Sequence, residues 1–79
     1  MNLFNQIVVD PKVCHGQPCF KGTRIMIYLV LELLEEGISE EEIITKYYLQ
    51  LAKEDVKAAL RYATYLIKNQ EFVPAGEIS

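Results

Sequence analysis

The stretch MIYLVLELLEEG, Met26 to Gly37, constrains this chain more than any other. It is rich in leucine and has no breaker before Gly37, so it reads as a helix. Gly37 stands where a left-handed C-cap belongs. The apolar residues Met26, Ile27, Tyr28, Leu29, Val30, Leu31, Leu33 and Leu34 run nearly all the way round that helix. A surface helix needs one apolar stripe, whereas a helix apolar on every side is buried on every side. The chain has only 79 residues, 51% of them apolar. A chain this short buries a modest fraction of its own surface. Cover for the helix is therefore expected from a second copy, and a homodimer is the expected state.

The flanking segments complete a single domain, with residues 1–69 as its body and 70–79 as a loose tail containing Pro74 and Gly76. Ile7 to Asp10 (IVVD) reads as a short strand that stops at Pro11, which lacks the N–H a central ladder needs. Pro18 to Ile25 reads as a second strand or bent extended segment, with Gly16 and Gly22 at its turns. Ser39 to Glu42 matches a capping box, and Glu40, Glu41 and Glu42 suit the positive end of a helix dipole. Ile43, Ile44 and Tyr47 are the expected buried face of this second, short helix. A third helix covers Lys53 to Gln70, with Val56, Ala59, Leu60, Ala63 and Ile67 on its inner stripe. Its cap is weak, since neither Ala52 nor Lys53 is a capping residue. The expected fold is mainly α: a three-helix helix-turn-helix domain of winged-helix or homeodomain-like type, with a short N-terminal β-hairpin or arm.

The chemistry-bearing residues are few. Cys14, His15 and Cys19 suggest a metal or thiol site, but two cysteines and one histidine fall short of a closed four-ligand zinc centre in one chain. Redox pairs favour two intervening residues rather than four. The favoured reading is that both cysteines pack as small hydrophobes beside a turn. The acidic residues cluster at helix ends, His15 is the single base for any triad, and no glycine-rich phosphate loop is present. No enzymatic activity, metal or cofactor is expected. The chain lacks a run of about 18 apolar residues and a charged-then-apolar leader. A cytoplasmic protein with reduced thiols is expected.

Charge is segregated along the chain. Glu32 to Glu42 holds six acidic residues and no basic one, while Lys53 to Lys68 holds four basic against two acidic. Lys53, Lys57 and Arg61 are four apart and stack along one helix face. They are the candidate DNA-contacting residues, facing phosphates or base edges, the alternative being an ordinary solvated face with an acid-rich first turn. The net charge of −3 excludes a protein that coats nucleic acid through bulk charge, though not a local basic face. Tyr47, Tyr48, Tyr62 and Tyr65 complete the set, since tyrosine buries its ring while its hydroxyl stays wet. Tyr47 and Tyr62 are expected in the core.

These motifs together resemble a widespread prokaryotic family catalogued as domain of unknown function 433. The matching residues are Asp10-Pro11, Gly16-Gln17-Pro18, Gly22-Thr23-Arg24-Ile25 and Gly37. They continue with Ser39, Glu41-Glu42-Ile43, Glu54-Asp55 and Ala58-Ala59-Leu60-Arg61-Tyr62-Ala63. The resemblance covers about residues 7 to 65. It departs at Tyr47-Tyr48, where the family commonly has Tyr-Pro, and at Ala52-Lys53, where it commonly has a threonine or serine cap. The resemblance implies a helix-turn-helix antitoxin that binds and neutralises a PIN-like ribonuclease toxin. It also implies autoregulation by operator DNA binding as a dimer. Arg24 and Tyr65 are the expected partner-binding residues, Arg24 through a bidentate pair with a carboxylate of the partner chain or the toxin, with an internal salt bridge that fixes the arm as its equal alternative. A stand-alone DNA-binding regulator and a metal or thiol protein using Cys14, His15 and Cys19 are the competing expectations.

Overall fold

A computed structural model describes residues 4–69; the expected tail at 70–79 lies outside them. The order is β1 (Ile7–Val8), a 3₁₀ turn (Cys14–Gly16), β2 (Cys19–Phe20), α1 (Ile27–Glu35), α2 (Glu40–Glu42) running into a π-helical segment (Ile43–Tyr47), and α3 (Lys53–Lys68). Among the described residues the chain is mainly helical, with three α-helices and one small antiparallel sheet. β1 and β2 pair through Ile7 with Phe20 and Val8 with Cys19.

Both strands are shorter than their sequence suggests, because local side-chain bonds take over the backbone. The Lys12 N–H donates to Asp10 Oδ1 at 2.9 Å, turning the chain directly after β1. Beyond β2 the Thr23 hydroxyl donates to the Phe20 carbonyl at 2.8 Å and accepts from the Ile25 N–H at 3.0 Å. That pair of bonds folds Lys21 to Arg24 into a tight tip. The chain then returns alongside β2: the Phe20 N–H reaches the Ile25 carbonyl at 3.0 Å, and Met26 bridges Cys19. Met26 therefore belongs to the hairpin, not to the helix. The Ile27 N–H donates to the Pro18 carbonyl at 2.9 Å and ties the first residue of α1 to the sheet.

α1 ends as its sequence foretells. Gly37 has φ +92°, the left-handed conformation that L side chains resist. Its N–H bonds the Leu34 carbonyl while the Ile38 N–H bonds the Leu33 carbonyl, the paired closure of a Schellman motif. Ser39 then starts α2 with both halves of the capping box: Glu42 N–H to Ser39 Oγ at 3.1 Å, and Ser39 N–H to Glu42 Oε1 at 3.4 Å. Ser39→Ala removes the acceptor and is expected to cost about 1 kcal/mol. For a domain of this size that lowers Tm by about 4–8 °C, read in a thermal melt.

The core holds Ile7, Phe20, Ile25, Ile27, Val30, Ile43, Leu51, Val56, Ala58 and Ala59. Two expectations about burial fail here. The Tyr48 N–H closes on the Ile43 carbonyl, five residues back, at 2.7 Å. This π-helical turn rotates the residues beyond it away from their α-helical positions. It leaves Tyr47 exposed and packs Tyr48 against the core in its place. On α3, Leu60 and Ile67 are exposed, and Ala58 is fully buried. The buried arc of α3 is centred on Ala59, Tyr62 and Leu66, and Leu60 and Ile67 fall on its flank. Along α1, only Ile27 and Val30 are fully buried; the four leucines are half-buried and Tyr28 is exposed. One chain covers a single stripe of this helix.

Candidate partner-binding surface

α3 presents two chemistries on its outer side. With 3.6 residues per turn, Lys53, Lys57, Arg61 and Lys68 fall opposite Ala59 and Leu66, and all four basic residues are exposed. The stripe is not uniform. Lys53 is drawn to α2, its Nζ 3.1 Å from Glu41 Oε1. Such an exposed pair contributes little to stability, but it directs this cation away from the others. Lys57 and Arg61 form no salt bridge among the described residues.

An apolar groove crosses the same face. Phe4, Leu60, Arg61, Thr64, Tyr65 and Lys68 line an open depression of about 360 Å³. Phe4 anchors it from the N-terminal arm, meeting Tyr62 edge-on at 5.4 Å and Tyr65 at 5.7 Å between ring centroids. Edge-to-face pairs of this kind add about 0.5–1.5 kcal/mol beyond their buried area. They fix the Tyr65 ring while leaving Tyr65 41% exposed beside Leu60 at 42%. The structure thus brings two expected residues, Arg61 and Tyr65, into one depression. Sequence reasoning missed Phe4 and Leu60. Leu60 matched the inner stripe by spacing, and nothing local indicates that Phe4 folds back onto α3.

Arg24 lies elsewhere, at the hairpin tip. It is exposed and lines an open cleft of about 560 Å³ with Lys21, Gly22, Thr23, Val8, Val13, Cys19, Phe20 and Gln50. Neither Lys21 nor Arg24 makes a salt bridge among the described residues. Gln50 comes from the connector just before α3, so the tip and the start of α3 are neighbours.

Cys14 and Cys19 are both buried, at 7% and 1% exposure, and both are free thiols. Burial pushes the Cys19 thiol above its ordinary pKa, the Cys14 side chain pushes the same way, and the Arg24 charge pulls against them. His15 is exposed between them in sequence. No cluster of three or more His, Cys, Asp or Glu side chains suited to a metal ion forms among the described residues. No helix among them is long and apolar enough to cross a membrane.

A small helical domain fronted by a two-stranded antiparallel hairpin is the class these features define. Residues 7–63 match the family described as "Protein of unknown function (DUF433)", and the chain belongs to that family. It is similar to a solved structure, a DUF433 member protein from Anabaena variabilis ATCC 29413 at 2.00 Å resolution. The two are 30% identical with a TM-score of 0.72, over 81% of this chain and 62% of that one. This chain thus spans less than two thirds of the length of that structure. No curated protein matches.

Proposed function

We propose that this protein is a cytoplasmic, non-catalytic antitoxin that neutralises a PIN-like ribonuclease toxin by docking the outer groove of α3 on it. The observation that carries this reading is the groove itself. Exposed contiguous apolar surface costs solvation in a lone soluble chain and marks interaction sites. Leu60 and Tyr65 supply the apolar floor, and Arg61 and Lys68 supply a cationic rim. That combination fits an apolar segment flanked by carboxylates. Homodimerisation is part of the same proposal. The half-buried leucines of α1 and the exposed Tyr28 are the surface a second copy would cover, in keeping with the all-round apolar character of that helix. The experiment is co-expression with the product of the adjacent reading frame, scored for growth rescue and co-purification. Rescue with a stable complex is the expected outcome. The absence of both rescue and complex would remove the antitoxin reading.

A second reading, a helix-turn-helix regulator that binds operator DNA, draws on the hairpin tip. Lys21 and Arg24 stand without salt-bridge partners among the described residues, in a cleft shared with Gln50 just before α3. In a winged arrangement the tip would contact phosphates beside a groove-seated helix. Lys21→Glu with Arg24→Glu is expected to weaken promoter binding and to flatten its salt dependence by about two phosphate contacts. A gel-shift series across salt concentrations checks this, with Lys57→Ala and Arg61→Ala testing the helix. An unchanged slope in both pairs would exclude the DNA reading.

A further inference from the structure

We propose that the groove of α3 is a site for an extended peptide of acidic and apolar side chains, and that its occupant is this chain's own segment 70–79, folded back along the helix. The inference goes beyond the antitoxin reading and does not rest on it. Three observations converge on it. The first is shape. Leu60, Thr64 and Lys68 are successive neighbours four apart on α3, and Arg61 and Tyr65 form the row beside them. The depression they line with Phe4 therefore runs along the helix. From Leu60 to Lys68 it spans about 12 Å, at about 1.5 Å per residue. Leu60 and Tyr65 leave its floor open to water.

The second observation is where the chain leaves α3. The Asn69 N–H donates to the Tyr65 and Leu66 carbonyls at 3.2 and 3.3 Å, and its Nδ2 donates to the Tyr65 carbonyl at 2.7 Å. These bonds close the helix one residue beyond Lys68, itself a lining residue of the groove. The ten residues that follow are QEFVPAGEIS, outside the described residues. Pro74 within them cannot continue a helix. Extended chain covers about 3.3 Å per residue. Phe72, three residues past Asn69, can therefore reach back to the level of Tyr65, and the segment as a whole is longer than the groove.

The third observation is charge. Arg61 and Lys68 line the groove with no acidic residue among them, and neither forms a salt bridge among the described residues. Segment 70–79 carries Glu71 and Glu77 and no lysine or arginine, with Phe72, Val73 and Ile78 as its large apolar residues. Glu71 beside Lys68, Phe72 against Leu60 and Tyr65, and Glu77 near Arg61 give each chemistry of the groove its counterpart. The other segment next to the groove, residues 1–3, reads Met-Asn-Leu and brings no carboxylate side chain. The tether also favours the same chain over a second copy. A short flexible linker holds its ligand at an effective concentration of order mM, so contacts too weak to retain a free peptide still fill the groove. Any other partner for this face, the proposed toxin included, must displace the segment first.

The test places p-benzoylphenylalanine at position 72 of the full chain, irradiates it and maps the crosslinks by mass spectrometry. An equal mixture of ¹⁵N-labelled and unlabelled chains separates crosslinks within one chain from those between copies. Expected is a crosslink within one chain, from position 72 to residues between Leu60 and Lys68. Its yield should fall at least about fivefold in urea, which weakens apolar contacts and leaves only proximity in sequence. A fall of at least about fivefold is also expected with Arg61→Glu and Lys68→Glu together, where two attractive pairs become repulsive. A thermal melt checks that this variant is folded, and the comparison in urea decides the matter without it. Crosslinks between copies, crosslinks to α1 or the hairpin, no crosslink, or equal yields folded and unfolded would each overturn the proposal. No toxin is present in this experiment, so its failure and that of the antitoxin reading are separate results.

Discussion

Phe20→Ala is expected to leave this domain largely unfolded at 37 °C. Phe20 is 1% exposed and is the largest fully buried side chain in the described residues. It sits in β2 opposite Ile7, and its backbone N–H holds the returning strand at Ile25. Its ring thus joins the hairpin to the helical core, and truncation opens a cavity at that join. Phe→Ala in a core costs about 3–5 kcal/mol. Domains in general have about 5–15 kcal/mol of stability, and one this small lies toward the low end. At about 4–8 °C per kcal/mol, Tm should fall by more than about 10 °C. A thermal melt followed by circular dichroism decides it. A cost under about 1 kcal/mol would mean that the hairpin does not share the helices' core.

The second large effect concerns the groove. Leu60→Asp combined with Tyr65→Ala is expected to abolish co-purification with the toxin and growth rescue, while the domain stays folded. Both residues are two-fifths exposed, so their removal opens no core cavity. The main structural loss is the edge-on contact of Tyr65 with Phe4. Central aromatic and apolar anchors of an interface commonly contribute about 2 kcal/mol or more, about thirtyfold in Kd. A buried carboxylate at position 60, opposing an acidic partner segment, adds repulsion to that loss. Lys57→Ala is the comparison, exposed on the same helix but outside the groove, and should leave the complex intact. If the double variant binds the toxin as tightly as the parent, the docking face is elsewhere and the leucines of α1 become the next surface to alter.

Phe20 and the groove differ in how much of each is legible in the sequence. The burial of Phe20 rests on long-range pairing with Ile7 and on the chain's return at Ile25. The groove is less legible still. Leu60 satisfies the three-four spacing of an inner stripe, so periodicity alone places it inside. What moves it out is that Val56, Ala58 and Ala59 are the residues seated against the rest of the core, and a helix buries one arc. Tyr47 and Tyr48 show the same limit. Both are aromatic, one step apart, and only the π-helical closure on Ile43 decides which faces inward. Lys53 looks like one member of a basic stripe, yet its charge is engaged by Glu41, on another element.

What the sequence determined by itself was local. Gly37 stops α1 because only glycine enters the left-handed region without strain, and the Schellman closure results. Ser39 and Glu42 start α2 because each satisfies the other's backbone N–H. α3 begins near Lys53 even without a capping side chain at Ala52, since Asp55 Oδ2 accepts the Ala52 N–H at 2.9 Å. The family motifs are legible for the same reason, being short runs of turn and cap chemistry. The tertiary structure alone decided which face of α3 is free, where Phe4 lands, and that the hairpin tip adjoins the start of α3. Caps and turns are settled by bonds between residues a few positions apart, which a sequence displays directly. Faces and meetings are settled by how rigid elements share one limited core, and the chain order does not display that.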